Sequence, residues 1–160
     1  MKKKILIALI AILIIIQFIR PSKNQANAVS ANHISNHYVV PSNVDAILKR
    51  SCNDCHTNNT TYPWYTNIQP VGWWLQYHVN DGKSHLNLSE FATYAPKRQH
   101  HKLEEIIEMV KEGEMPLNTY LWMHDNAKLT SDDQSTLVNW ADGLMKEIAI
   151  KNNLPAEEKK

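Results

Sequence analysis

Apolar side chains recur at helical spacing along most of the chain, in segments separated by short polar stretches. The clearest segment runs from His100 to Glu112, where apolar residues fall at i, i+3, i+4 and i+7 and Gly113 follows as a stop signal. Another begins at Thr130 or Ser131 and carries Leu137 and further apolar residues on one face. Because the spacing is helical rather than alternating, we predict an all-α fold.

Shorter helices are predicted in the first two thirds of the chain. Ser42 is a suitable N-cap for a helix that leads towards Cys52. A second helix is expected over 71–80, with Asp81-Gly82 as its end. A third is expected to start at Ser89. The cysteines at positions 52 and 55 are therefore predicted to lie on a helix.

The N-terminus combines basic charge with an apolar run. Residues 1–20 carry three lysines, then fifteen residues of which only Gln17 is polar, and finally Arg20. This pattern is typical of an export segment, and we predict an uncleaved signal anchor whose basic end stays in the cytoplasm. Fifteen residues is short of the about 20 that a full span needs, although the flanking cations can snorkel. A cleaved signal peptide is the alternative, with Ala26-Asn27-Ala28 as the cleavage pattern.

The remaining residues divide into three parts. Positions 21–41 are rich in Ser, Asn, Gln and Ala without an apolar period, which predicts a flexible polar linker. His33 and His37 are interpreted as solvated residues of that linker. The folded domain is expected over 42–150, which allows one core, and 151–160 form a charged tail.

Charge and cysteine content restrict the possible functions. The chain has 17 basic and 16 acidic residues, so no field of one sign would recruit nucleic acid, and none is predicted as a partner. There are only two cysteines, three residues apart, so they cannot build a disulfide framework. A dithiol switch, part of a metal site, or haem attachment remain as chemistries for the pair.

The cysteines belong to Cys52-Asn53-Asp54-Cys55-His56, the C-x-x-C-H attachment pattern of c-type haem. On a helix, the sulfurs at i and i+3 share a face, and His56 follows one turn after Cys52. The pattern therefore predicts one covalent haem held by two thioether bonds, with His56 as the proximal iron ligand. A thioredoxin-type dithiol would open a helix after a strand, and a closed zinc site would need further ligands.

A second axial ligand must come from outside the motif. Met115 is predicted, because it lies in a loop pinned by Pro116 just after a helix stop, where its thioether is free of helical constraint. His78, on the predicted second helix, is the main alternative, and His124 is a third candidate.

Other side chains could contact the edges of a haem. Trp73 and Trp74 are predicted to pack against the macrocycle, although ordinary core packing explains tryptophans equally well. Lys97 or Arg98 could pair with a propionate, and a solvated position is the competing interpretation for each.

Several separate stretches between about Asn43 and Gly143 carry a family resemblance. They read SCNDCHTNNTTYPWY, QPVGWWLQYHVNDGKSHLNLSEF, GEMPLNTYLWMH and KLTSDDQSTLVNW. Together they resemble the haem-binding domain proteins of Bacteroidetes, small membrane-anchored relatives of mono-haem cytochromes c. The resemblance implies a helical cytochrome-c-like fold, with Cys52, Cys55 and His56 as attachment residues and Met115 as distal ligand. It supplies no redox partner.

The predicted ligand set bears on function. With His56 and Met115 both on iron, no coordination position is open, so one-electron transfer is predicted rather than catalysis. The carrier would work at the periplasmic face of the bacterial inner membrane, with unidentified donor and acceptor proteins. An open or weakly ligated distal side would instead suit a redox or gas sensor, or a peroxidase-like protein. Free thiols at Cys52 and Cys55 would indicate a thiol-redox or metal-binding function.

Overall fold

The computed structural model describes residues 1–155, so the predicted charged tail lies outside the described residues from position 156 onward. The α-helices of this part of the chain are α1 (Lys2–Ile16), α2 (Ser42–Ser51), α3 (Asn53–His56), α4 (Val71–His85), α5 (Pro96–Glu112), α6 (Asn118–Leu121) and α7 (Ser131–Lys151). Short 3₁₀ helices connect them at Ile34–Asn36, Trp64–Asn67, Leu88–Thr93 and Asp125–Ala127. Residues 1–155 contain no β-strand, only an isolated antiparallel bridge between Gln25 and Asn59. The predicted all-α class is confirmed.

The hydrophobic core lies mainly between α5 and α7, the two longest helices. These helices pack against each other along their apolar faces. Leu103 of α5 and Ile148 of α7 are completely buried, as the helical periodicity predicts. Phe91, from the 3₁₀ helix at 88–93, is also fully buried in this cluster. Helix α2 closes the core from the other side and brings its C-terminal end, and therefore the cysteine motif, next to it.

Local signals fix the ends of the long helices. Helix α5 begins at Pro96 rather than at His100, because proline fits the first helical turn, and it ends before Gly113, whose φ of +73° is left-handed as predicted. Helix α7 begins with a capping box: the Thr130 hydroxyl accepts the Asp133 amide at 3.1 Å, and the Asp133 carboxylate accepts the Thr130 amide at 2.9 Å.

Helix α4 shows tertiary packing overriding a local stop signal. It continues through the predicted end at Asp81-Gly82 as far as His85. A Cβ at Gly82 would lie 3.0 Å from the Cys55 carbonyl oxygen and 3.1 Å from Cys55 Cβ. The glycine therefore allows α4 to approach the cysteine motif closely, instead of ending the helix.

Helix α1 has fifteen residues, and none of them is buried. No helix within residues 1–155 combines the length and the apolar character needed to cross a membrane. Beyond the helix, Gln17 and Gln69 exchange two hydrogen bonds, of 3.1 Å from Gln17 Nε2 to the Gln69 carbonyl and 2.9 Å from the Gln69 amide to Gln17 Oε1. Trp73 Nε1 also donates to the Ile19 carbonyl at 2.7 Å. These bonds join the end of the apolar segment to the start of α4.

The segment 21–41 packs against the domain, which differs from the solvated chain expected of a polar linker. The Asn24 side chain donates to the Thr57 carbonyl at 2.9 Å and to Thr60 Oγ1 at 2.8 Å. Ile34 is only 1% exposed and belongs to the core. His37 is exposed, whereas His33 is half-buried and its pKa is lowered by that burial. A single isoleucine gives no periodic signal, so the sequence pattern missed this contact.

Candidate functional site

A cavity of about 390 Å³ lies between α3, α4 and α5, beside the loop that follows α5. Its volume falls within the range of about 300–1,000 Å³ that is usual for cofactor and ligand pockets. Most of the lining is apolar, from residues such as Ile106, Val110 and Leu137. The predicted site residues that line it are Cys52, Cys55, His56, His78 and Met115. Residues that are far apart in the sequence therefore meet at one pocket.

The cysteine motif lies where two helices join. Helix α2 ends at Ser51, and α3 begins at Asn53, so the single helix that was expected is interrupted at Cys52. The His56 amide still donates to the Cys52 carbonyl at 3.0 Å, which keeps the imidazole one turn beyond the first cysteine. Ser51 Oγ donates to the Ala127 carbonyl at 2.8 Å and fixes the end of α2. The break thus leaves the spacing that the attachment pattern requires.

The His56 imidazole is arranged as a metal ligand would be. Its Nδ1 is 3.1 Å from the Leu86 carbonyl oxygen, which can only accept, so Nδ1 carries the proton and Nε2 keeps its lone pair. Burial lowers the pKa of His56, in spite of the opposing effect of backbone hydrogen bonds. The ring is therefore neutral at pH 7, the form that binds a metal.

The two thiols are in an environment that keeps them protonated. Burial, assisted by the neighbouring Cys55, raises the pKa of Cys52 to about 12. Burial and the nearby Asp54 raise the pKa of Cys55 to about 11. Dithiol redox proteins instead lower the pKa of the attacking cysteine. Among residues 1–155, no group of three or more His, Cys, Asp or Glu side chains could hold a metal ion. The raised pKa values of the two thiols therefore disfavour the dithiol redox alternative.

Asp54, between the two cysteines, links the motif to two other parts of the chain. Its carboxylate accepts the Thr61 amide at 2.9 Å and the Tyr120 hydroxyl at 2.8 Å. Burial and this carboxylate both raise the pKa of Tyr120, so the phenol stays protonated and donates. The Tyr120 ring stacks on His124 with centroids 4.0 Å apart. Sequence reasoning missed Asp54 and Tyr120, because neither spacing nor residue type marked them.

Two of the three predicted distal ligands reach the cavity. Met115 lies in a turn that folds back on α5, since the Glu114 and Met115 amides donate to the Met109 carbonyl at 3.0 and 3.2 Å. His78 donates a hydrogen bond from Nδ1 to the Trp74 carbonyl at 2.8 Å. The lone pair of Nε2 is then available to coordinate iron. His124 lies outside the cavity lining and borders a smaller adjacent pocket.

The predicted tryptophans lie away from the cavity lining. Trp73 is held by its hydrogen bond to the Ile19 carbonyl. Trp74 borders the smaller adjacent pocket, where its ring meets that of His78 edge to face with centroids 4.6 Å apart. Trp74 therefore contacts His78, which lines the cavity, without lining the cavity itself.

A helical domain with an apolar cavity, two adjacent thiols and a neutral buried imidazole has the features of a haem protein. The haem-binding domain family matches residues 11–143, which is most of the chain, and the protein belongs to that family. Its cofactor is haem, as the motif predicts. No curated protein and no solved structure matches the chain.

Proposed function

We propose that the protein attaches one haem covalently through Cys52 and Cys55, with His56 as proximal ligand, and transfers single electrons. The observation that carries the proposal is the meeting of both thiols and the buried imidazole of one motif at a single cavity. The bound haem supplies an iron that alternates between the ferric and ferrous states.

Residues around the cavity orient the His56 imidazole and exclude water from the cavity. The Leu86 carbonyl fixes the tautomer and direction of the His56 ring and increases its basicity. Ile106 and Val110 present apolar walls, which disfavour the more positive ferric state and so raise the reduction potential. Because the ligand is oriented in advance, electron transfer requires little rearrangement of the protein.

Met115 is the proposed sixth ligand, and His78 is the second candidate because its Nδ1 is held by a carbonyl in the same way as that of His56. Either side chain would complete six-fold coordination and leave no position for a substrate. Electron transfer is therefore favoured whichever one binds. A sensor or peroxidase-like function would require that this ligand leave the iron.

The proposed location is the periplasmic face of the inner membrane. Residues 1–20 have the charge and apolar run of an export segment, and attachment of haem to paired thiols takes place outside the cytoplasm. We retain the uncleaved anchor as the prediction, and the N-terminal residue of the purified protein distinguishes it from cleavage after Ala28. The donor and acceptor are proposed to be redox proteins.

Covalent attachment is tested by producing the exported protein together with a cytochrome c maturation system. Acid–acetone extraction should leave the pigment on the polypeptide, and the mass should exceed that of the chain by one haem. Replacing both Cys52 and Cys55 by alanine should release the pigment, while Met123→Ala, at an exposed position outside the cavity lining, should retain it. Pigment that extracts freely from the parent protein would falsify the covalent proposal.

The electron-transfer role is tested by carbon monoxide binding to the reduced protein. Slow or absent binding is expected, because His56 together with Met115 or His78 would occupy both positions at which carbon monoxide could bind. Rapid binding would support the sensor or peroxidase-like alternative instead.

A further inference from the structure

Lys102 is a buried cation on the wall of the cavity. The residue is 9% exposed, and it occupies the same face of α5 as Ile106 and Met109, which also line the cavity. Burying an ammonium group costs free energy unless a partner of opposite charge offsets it. Glu105 supplies that partner in the protein alone, with 2.6 Å between Nζ and Oε2.

The second oxygen of Glu105 is also engaged. His101 Nε2 lies 3.2 Å from Oε1, so Glu105 is held between a histidine on the surface and the lysine at the cavity. The Glu105 side chain is 36% exposed, whereas the Lys102 side chain is only 11% exposed. Both residues line the cavity, and Glu105 also reaches the solvent, so the ammonium group is the more buried member of the pair.

Lys102 is the only lysine or arginine among the described residues that line the cavity. Lys97 is exposed, and the Arg98 guanidinium lies over the Tyr94 ring at 4.6 Å, so neither cation suggested by the sequence lines it. Glu105 lines the cavity beside Lys102 and compensates its charge there, and Asp54 and Asp81 add negative charge elsewhere on the lining. Among the described residues of the lining, Lys102 is therefore the only lysine or arginine that can donate a hydrogen bond to an entering carboxylate.

We infer that Lys102 binds a propionate of the haem, with Glu105 as the counterion of its ammonium group. The inference rests on the proposed haem attachment at Cys52 and Cys55. Those cysteines bind the vinyl edge of the haem, and its propionates lie at the opposite edge. Helix α5 forms a different wall of the cavity from α3, which follows directly on Cys52. A charge-assisted hydrogen bond from Lys102 then sets the orientation of the haem plane.

Resonance Raman spectroscopy tests this contact, because the propionate bending band of the ferrous protein reports hydrogen bonding to the carboxylate. Lys102→Met keeps the length of the side chain and removes the donor, so the band should shift to the position of an unbonded propionate. Lys111→Met, at an exposed position on the same helix and outside the cavity lining, should leave it unchanged. An unshifted band in Lys102→Met would overturn the inference.

The reduction potential provides a second measurement. Without the ammonium, the propionate and Glu105 are uncompensated and stabilise ferric iron. The ratio of ferric to ferrous protein at a fixed potential should increase about tenfold, which corresponds to a fall of about 59 mV. Glu105→Gln should raise the potential while the Raman band keeps its bonded position. A Raman band shifted equally by Glu105→Gln would show that the lysine does not hold the propionate.

The two proposals fail in different ways. Acid–acetone extraction of each variant comes first, because pigment lost from the parent protein contradicts covalent attachment. Pigment that stays bound while Lys102→Met leaves both the band and the potential unchanged contradicts only the role of Lys102.

Discussion

The two sides of the cavity differ in how their side chains are held. On the proposed proximal side, His56 is fixed to the Leu86 carbonyl, and Asp54 is fixed to both Thr61 and Tyr120. On the proposed distal side, Met115 is positioned through its backbone, and His78, whose Nδ1 is held by the Trp74 carbonyl, lines the same cavity as a second candidate. The proposed proximal ligand is thus oriented by the protein alone, whereas two side chains are candidates for the proposed distal position.

This difference predicts different responses to substitution. His56 is the histidine of the attachment motif, so changing it should remove the proposed proximal ligand. A distal ligand can be exchanged for its neighbour, so a single change there should alter the spectrum without abolishing six-fold coordination.

His56→Ala should have the largest effect. The haem should remain attached through its two thioethers, but the low-spin ferric spectrum should be lost, because the imidazole that completes the coordination is gone. His85→Ala is the matched control, since His85 also lines the cavity while its contact to Asp81 is 3.8 Å long. Optical spectra of both variants decide the matter. A low-spin spectrum in His56→Ala would mean that the proximal ligand was assigned wrongly.

Met115→Ala should have the next largest effect. The weak red charge-transfer band of a ferric iron–thioether bond should disappear, and carbon monoxide binding should become at least about tenfold faster unless His78 moves onto the iron. The double variant with His78→Ala separates these outcomes, since it removes both candidates. If the band persists in Met115→Ala, the ligand is not Met115. A parent protein that is low-spin but lacks the band would indicate His78.

The sequence predicted some of these features well and others poorly. The attachment motif and the long helices α5 and α7 were readable, because fixed spacing and repeated apolar positions are local signals. The position of Lys102 in the cavity lining could not be predicted, because the cavity forms only when α4 and the loop after α5 pack beside α5. Gly82 was read as a helix stop, because its contact with Cys55 joins residues 27 positions apart.

The close approach at Gly82 can be tested directly. A methyl group there would lie 3.0–3.1 Å from atoms of Cys55, so α4 or the motif must move by a few tenths of an ångström. We expect Gly82→Ala to destabilise the protein by about 1–3 kcal/mol. Gly143→Ala, in α7 with no atom within 4 Å of the new methyl group, should stabilise it by about 0.5–1 kcal/mol.

Denaturant unfolding of the haem-loaded variants gives both values. If Gly82→Ala were as stable as Gly143→Ala, the motif and α4 would not be in close contact, and the proximal side would be less rigid than we infer.

The smallest effect is expected for Asp133→Asn, which removes a carboxylate that links the start of α7 to α2. Asp133 Oδ2 accepts from the Thr130 amide at 2.9 Å and from Arg50 at 2.8 Å, and Arg50 lies two residues before Cys52. The backbone hydrogen bond at Thr130, and then Arg50, hold the pKa of Asp133 below its usual value. Asp133→Asn should therefore cost about 1 kcal/mol at pH 7, the usual size for a lost helix cap.

The stability lost in Asp133→Asn should depend on pH. A carboxylate whose pKa is lowered by folding stabilises the protein above its unfolded pKa of about 3.9, and that contribution is lost as the pH falls through the lower, folded value. The stability difference between the parent and Asp133→Asn should therefore shrink as the pH is lowered below about 4. Asp132→Asn, at an exposed neighbouring position, should change stability by only a few tenths of a kcal/mol. A difference that stays constant with pH would mean that the charge of the Asp133 carboxylate contributes nothing to stability through Thr130 or Arg50.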